Sequence, residues 1–434
     1  MRQLSFYSWL IIWAIAWPAA AQVYQITDFG AVGDGRTLNT QAIQQAIDSC
    51  ARRGGGTVWV PAGVYLCGEL TLASHLTLHL DNGAVLLGSP ELAHYPNRHF
   101  LHGRGLRHVT LTGQGTIDGN GPAFFNPDWT PKPRPEPWIA FRDCQHLTVS
   151  GIRLVNSPAH TLSFRECDRV SLTSLEILND PRSPNTDGID LRNTRNVRIA
   201  DCHIETGDDA ICLKASLEDK PPKYLVENIL VSNCFLQSDD AAIKLGTGSG
   251  YLTRNCVFSN CIIQNTRFGV ALFMQQGGQI ENYQFNNLII QGRSRHPTEY
   301  PIFIDIDKLK ADSPFGRIDG VEFNQLTIET RGQVLIAGQP SAPVQNLSFA
   351  NVRLRVVDAT NPTGFKKPRG NKNTPHWPEC ADLAGENGHL VIGHARHLRF
   401  QNFVIETNAT GAKRKAIILK NVENTRPEGI EVRE

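Results

Sequence analysis

After residue 21 this chain has no apolar run long enough to cross a bilayer as a helix, which takes about 20 residues, so no membrane partner is expected once the first segment is removed. Charge of one sign is missing too: 43 Lys and Arg stand against 42 Asp and Glu, a net of +1. That balance gives no support to a nucleic-acid or lipid-surface partner, which a basic excess would mark. Cysteine is sparse for the length, ten in 434 residues, too few for a scaffold built from disulfides. Cys50 and Cys67 are free to pair in an exported chain, but connectivity cannot be read from spacing. Several cysteines fall at strand-core positions, where they read as small buried apolar residues.

The first 21 residues have the form of a targeting segment. Arg2 gives a positive start, Trp9 to Trp17 an apolar core too short to span, and Ala19-Ala20-Ala21 a small-residue cleavage pattern. Residues 1–21 are therefore expected to be a signal peptide and residues 22–434 a single catalytic domain, secreted or periplasmic.

What the chain has in abundance is repetition. A template of apolar-x-apolar-x-x-apolar-x-apolar recurs as Leu147/Val149/Ile152/Leu154, Val170/Leu172/Leu175/Ile177, Val197/Ile199/Cys202/Ile204 and onward to copies beginning at Val321, Leu347 and Leu398. Each copy reads as two short alternating strands with a bend between them. A second triplet interleaves: Ile139-Ala140-Phe141, Leu162-Ser163-Phe164, Ile189-Asp190-Leu191, Ile211-Cys212-Leu213, Ile243-Lys244-Leu245, Val270-Ala271-Leu272 and Ile302-Phe303-Ile304. Successive copies lie 22 to 32 residues apart, a solenoid period. The fold class expected is all-β, a single-stranded parallel β-helix.

Asn233, Asn260, Asn287, Asn351 and Asn402 recur at matching bends, so stacked amides running up the column are expected. Ala42, Ile43, Ala46, Ile47 and Cys50 form one helical stripe, with Asn39 or Thr40 as N-cap and Gly54 as stop. That helix should cap the N-terminal end of the coil. The stretch from Asn361 to Pro378 reads as a long loop, with Trp377 a candidate sugar platform.

The sharpest local signal is Asn185-Thr186-Asp187-Gly188 followed by Gly207-Asp208-Asp209. Setting Ile189 above Ile211 puts Asp187 over Asp209, about 4.8 Å away on the next coil. Three clustered carboxylates should leave one protonated beside ionised partners. Glycoside hydrolysis needs that pair of states, one group to protonate the leaving oxygen and another to prepare water. A solvated polar ladder and a calcium site serving a lyase are the alternatives.

With these residues the chain resembles glycoside hydrolase family 28, the polygalacturonase family. The motifs that carry the resemblance are Asp28-Phe29-Gly30-Ala31-Val32-Gly33-Asp34-Gly35, Gly54-Gly55-Gly56-Thr57-Val58, Asn156-Ser157-Pro158, NTDG at 185–188 and GDD at 207–209, over about residues 25 to 360. The resemblance implies a right-handed coil, with Asp208 as general acid and Asp187 with Asp209 activating water for inversion. Carboxyl groups roughly 6.5–9.5 Å apart would suit that chemistry.

Two departures stand out. The family's Gly-His-Gly aligns with Asp240-Ala241-Ala242, and its Arg-Ile-Lys, which grips the substrate carboxylate, with Ala271-Leu272-Phe273. Lys214, Lys244 or Arg267 could take over, or the subsite accepts a neutral sugar such as rhamnose or galactose. His160, Asn185, Lys214, Asp240 and Lys244 are the candidate substrate-binding residues. Asp239 and Asp240 would add negative charge at that coil. No metal or cofactor is expected, and the partner is a polysaccharide or oligosaccharide acted on by a monomer. A β-helical lyase or epimerase and a non-catalytic glycan-binding solenoid remain as alternatives. Long segments after Lys214 and around Pro301 to Phe315 would favour exo action by walling off one end of the cleft.

Overall fold

The computed structural model describes residues 22–296, 299–359, 383, 385–408 and 413–433. The expected signal segment and Trp377 lie outside the described residues.

Among them, 34 strands join in one sheet, and every strand ladder is parallel. Each coil contributes strands to three stacked faces of a right-handed parallel β-helix. The short strands follow from alternation: in Leu162–Arg165 the residues Leu162 and Phe164 point inward and are buried, while Ser163 and Arg165 face out. Stacking then repeats each inward position one coil further on, with Leu162 over Ile189 and Ile189 over Ile211. The triplet register expected from the sequence is thus the register observed.

The second and third faces are separate strands in the early coils and merge later. Leu252–Gln264, Gln279–Gln291 and Val344–Val356 each run through both faces as one strand of 13 residues. They turn at Asn260, Asn287 and Asn351, all with positive φ, where asparagine is less strained than most residues. The amides form the expected ladder: Asn260 donates to Asn233 at 3.4 Å, Asn287 to Asn260 at 3.0 Å and Asn402 to Asn351 at 3.0 Å. Inside the coil Phe258, Phe285, Phe323, Phe349 and Phe400 stack ring on ring at 5.0–5.3 Å.

The helix Thr40–Arg52 buries Ile43, Ala46, Ile47 and Cys50 against the first strands, as the stripe implied. Asn39 holds the N-cap position without making a cap hydrogen bond. Its carboxamide instead bridges Val32, accepting from N–H at 2.7 Å and donating to C=O at 3.0 Å. Thr40 accepts from the Gly68 N–H. Nine cysteines among the described residues, Cys50 and Cys67 included, are free and buried. One expectation is corrected: Pro301 belongs to a wholly buried strand, Tyr300–Ile306, and the connecting loop begins only after it.

Candidate active site

The candidate site lies on the outward side of the first face, just before strands Ile189–Arg192 and Ile211–Ala215. Small residues let the chain pack there. A Cβ on Gly188 would lie 2.6 Å from the Ala210 carbonyl, and one on Gly207 2.1 Å from the Ser183 carbonyl. Thr186 ties the two motifs together, donating to the Ser183 carbonyl and accepting from the Gly207 N–H at 3.1 Å. Backbone bonds from Thr161 N–H to Asp187 C=O and from Gly188 N–H to Asp209 C=O complete the stack.

The three aspartates converge as expected. Carboxylate oxygens of Asp187 and Asp209 come within 4.8 Å of one another, as do those of Asp208, Asp209 and Asp240. The Asp208 carboxylate accepts from the Asn185 N–H at 3.2 Å and the Asp209 N–H at 3.0 Å. Its backbone carbonyl accepts from the Thr206 and Ser238 hydroxyls.

Electrostatics divide the trio. Burial, then repulsion from Asp187 and Asp240, pushes Asp208 up to about 7. Burial presses Asp187 the same way, but His160, Lys214 and Lys244 outweigh it and hold that carboxyl at about 2. Burial raises Asp209 as well, with Lys244 opposing.

The cations sit among the acids. Lys214 Nζ lies 2.5 Å from Asp190 and 3.3 Å from Asp187. Lys244 Nζ lies 2.9 Å from Asp209 and 3.4 Å from Asp240. Burial works against both charges, yet the carboxylates beside them, Asp190 and Asp209 first, hold both lysines above their ordinary range. His160 spans two acids, Nδ1 at 3.0 Å from Asp190 and Nε2 at 3.6 Å from Asp187. Asn185 is exposed at the rim, its side-chain oxygen accepting from Arg134 at 3.4 Å.

The structure corrects the reading of the next coil. Asp239 does not burden the cleft with free charge, because Arg295 and His296 pair with it. Asp240 is balanced by Lys244 and by Arg267 at 3.5 Å. Two participants were missed. Asp190 is nearly fully buried and joins His160 to Lys214. Its signal was an acidic residue inside the Ile-x-Leu triplet, flanked on the next coil by Cys212 and Lys214. Arg134 donates to the Pro184 carbonyl from a loop far upstream, and nothing local in the sequence marks it.

Where the cations of the resemblance are missing, the outward face is apolar. Ala241, Phe268, Ala271, Phe273, Tyr300 and Phe303 form a second hydrophobic cluster, separate from the coil interior. Lys244 lies directly beside Ala271 in register, its ammonium 5.6 Å from the Phe273 ring centre.

Known proteins resemble this chain in sequence and in fold. The profile of "Glycosyl hydrolases family 28" matches residues 50–365. A probable polygalacturonase of Vitis vinifera is 33% identical over 232 residues, 46% of this chain and 47% of that protein. An exo-poly-alpha-D-galacturonosidase of Dickeya chrysanthemi is 26% identical over 295 residues, 54% of this chain and 48% of that one. The chain thus spans about half the length of the curated relatives it matches. In three dimensions it is similar to a family 28 exopolygalacturonase of Yersinia enterocolitica, with a TM-score of 0.74 at 21% identity, covering 95% of this chain and 79% of the other. That likeness concerns the fold.

Proposed function

Because this chain belongs to glycosyl hydrolases family 28, we propose that it hydrolyses glycosidic bonds in a pectin-type polysaccharide, with Asp208 as general acid and Asp187 and Asp209 as the base pair. The observation that carries this reading is the opposed titration of neighbours: Asp208 near 7 keeps its proton in mildly acidic solution, while Asp187 near 2 has lost its own. Asp208 gives that proton to the leaving oxygen as the bond to the sugar breaks. A water held between Asp187 and Asp209 attacks from the opposite side and passes its proton to the pair. One oxygen of Asp187, Oδ1, is buried, accepts no hydrogen bond among the described residues and lies 3.6 Å from His160 Nε2. That attack gives the inverted product, and proton exchange with solvent then returns the proton to Asp208 and removes it from the base pair.

The sugar beside the cleaved bond is the finer question. Lys214 and Lys244 are already engaged by carboxylates, so either gives up an ion pair to bind a uronate. The cluster where cations would be expected is apolar and fully buried, so it offers a uronate no counter-charge, which supports a neutral or deoxy sugar at the adjoining subsite, as in branched pectin. The names of two relatives, both exo-acting, are the support for attack at chain ends.

The test is release of reducing ends by the protein and its Asp208→Asn variant from polygalacturonate, rhamnogalacturonan and neutral galactan. Release abolished by the substitution supports the acid assignment, and the substrate that is cut assigns the subsite. Products that absorb in the ultraviolet through a new double bond would point to a lyase instead. No release from any substrate, with both proteins folded, would leave a glycan-binding solenoid as the better reading.

A further inference from the structure

Away from the aspartates, on the second face of the coil, three imidazoles stack at the bend. His75 and His108 have ring centres 5.3 Å apart and planes 18° from parallel; His108 and His146 are 4.5 Å apart and 17° from parallel. Arg169 continues the row, its guanidinium 3.0 Å from His146 Nε2. Each occupies the left-handed φ position that asparagine takes in the later coils, where Asn228, Asn255 and Asn282 link amide to amide. In its first half, then, this bend column swaps a neutral ladder for one that titrates.

The row forms one wall of an open groove of about 730 Å³. The other wall is the neighbouring outward column of the sheet, Thr77, Thr110, Thr148, Ser171 and Arg198, stacked in register. Among the described residues, no carboxylate lines it. The ionisable groups that bear on His108 are His146, His75 and Arg107, none of them an acid. The acid nearest the row's far end, Asp168, is taken by Asn196 at 2.7 Å and Arg195 at 3.3 Å.

We propose that this groove is a second glycan-binding site, which takes a carboxylated polysaccharide along the coil axis and holds the polymer beside the catalytic face. The class of ligand rests on the pectic reading above. Four successive coils repeat the same pair of groups, each about 4.8 Å from the last: a hydroxyl to meet sugar hydroxyls and a cationic or titratable side chain to meet a carboxylate; the fifth offers Asn196 and Arg198. Stacked imidazoles repel one another once charged, and a bound uronate relieves that repulsion. Binding therefore takes up protons. It strengthens as pH falls through the histidine range, near 6.5 for an unperturbed ring, while uronates stay ionised.

The test is native electrophoresis through gels containing polygalacturonate or neutral galactan, with Asp208→Asn in every protein so that the polymer is not shortened. The comparison variant carries His75→Asn, His108→Asn and His146→Asn, asparagine being the residue this column accepts; Arg198→Gln alone is a second, milder probe. The expected result is retardation by polygalacturonate several-fold stronger at about pH 5 than at about pH 8, weakened by either variant and absent with galactan. Equal retardation of the triple variant, a response without pH dependence, or equal retardation by galactan would overturn the proposal. Cleavage by the parent protein is scored separately. Retardation without any cleavage would sink the catalytic reading and leave the groove standing, while cleavage without retardation would do the reverse.

Discussion

The Lys244 ammonium lies 2.9 Å from the Asp209 carboxylate of the preceding coil and 3.4 Å from Asp240 beside it. It stands next to Ala271, so a cation one coil earlier faces the aspartates where a larger side chain at 271 would crowd it.

Lys244→Met should leave Asp209 buried without its counter-charge. Breaking one side of a buried ion pair costs about 3–5 kcal/mol, unless the survivor takes up a proton. Burial already raises Asp209, which favours that uptake as pH falls. The variant should therefore lose more thermal stability at about pH 8 than at about pH 4. Its activity should fall in mild acid, where a protonated Asp209 no longer shares in activating water. Equal loss of melting temperature at both pH values would show that Asp209 is not held ionised by Lys244.

Asp208 sets both an activity limit and a stability slope. Activity should decline as pH rises through about 7, where the acid loses its proton, and again as Asp187 is protonated towards about 2. Asp208→Asn should lower turnover by about 100- to 10,000-fold. The sign for stability is the reverse of that for an ordinary ion-paired carboxylate. Asp208 has a folded value above its unfolded one, so its contribution favours the fold at low pH and is lost as pH rises through about 7. The variant should match its parent near about pH 4 and melt higher than it above about pH 7. Asp187 works oppositely, stabilising above its unfolded value and losing that effect as pH falls towards about 2. Paired pH–rate and pH–melting curves check both.

Much of this arrangement could be read before any coordinates. Inward positions every second residue, and the Ile189 to Ile211 step, placed Asp187 over Asp209 because stacking a coil leaves the register little freedom. The bends were readable because asparagine tolerates positive φ. Other features depended on contacts between coils. Asp190 is the middle residue of its triplet, which points outward by alternation, yet it is buried where Lys214 and His160 reach it across coils. Asn39 looked like a helix cap, but Val32 competes for its carboxamide. Arg134 arrives from a loop with no periodicity to place it.

Restoring a cation at Phe273 should not restore a binding site. Phe273 is fully buried, edge to face with Phe268 at 5.9 Å and close to Phe303 at 5.0 Å. Phe273→Lys removes those contacts and places an ammonium among apolar groups, with the loss of a large buried ring alone costing about 3–5 kcal/mol. The expected outcome is a lower melting temperature with no gain in affinity for oligogalacturonate. A stable variant that binds the uronate more tightly would mean that this outward cluster is open to substrate.

The asparagine ladder offers a test of the fold that does not touch the cleft. Asn260 holds φ 55° and sits between Asn233 and Asn287, at 3.4 and 3.0 Å. Asn260→Ala keeps the strained backbone, loses the local compensation asparagine brings, and leaves both neighbouring amides one partner short. A side chain other than Asn or Gly in that region costs roughly 1–2 kcal/mol, and each lost hydrogen bond about 1 kcal/mol. Asn260→Gly loses the same hydrogen bonds but relieves the strain. The alanine variant should therefore melt lower than the glycine variant, and both lower than the parent, with turnover unchanged in all three. If glycine proves the more damaging, side-chain stacking rather than backbone strain governs this bend.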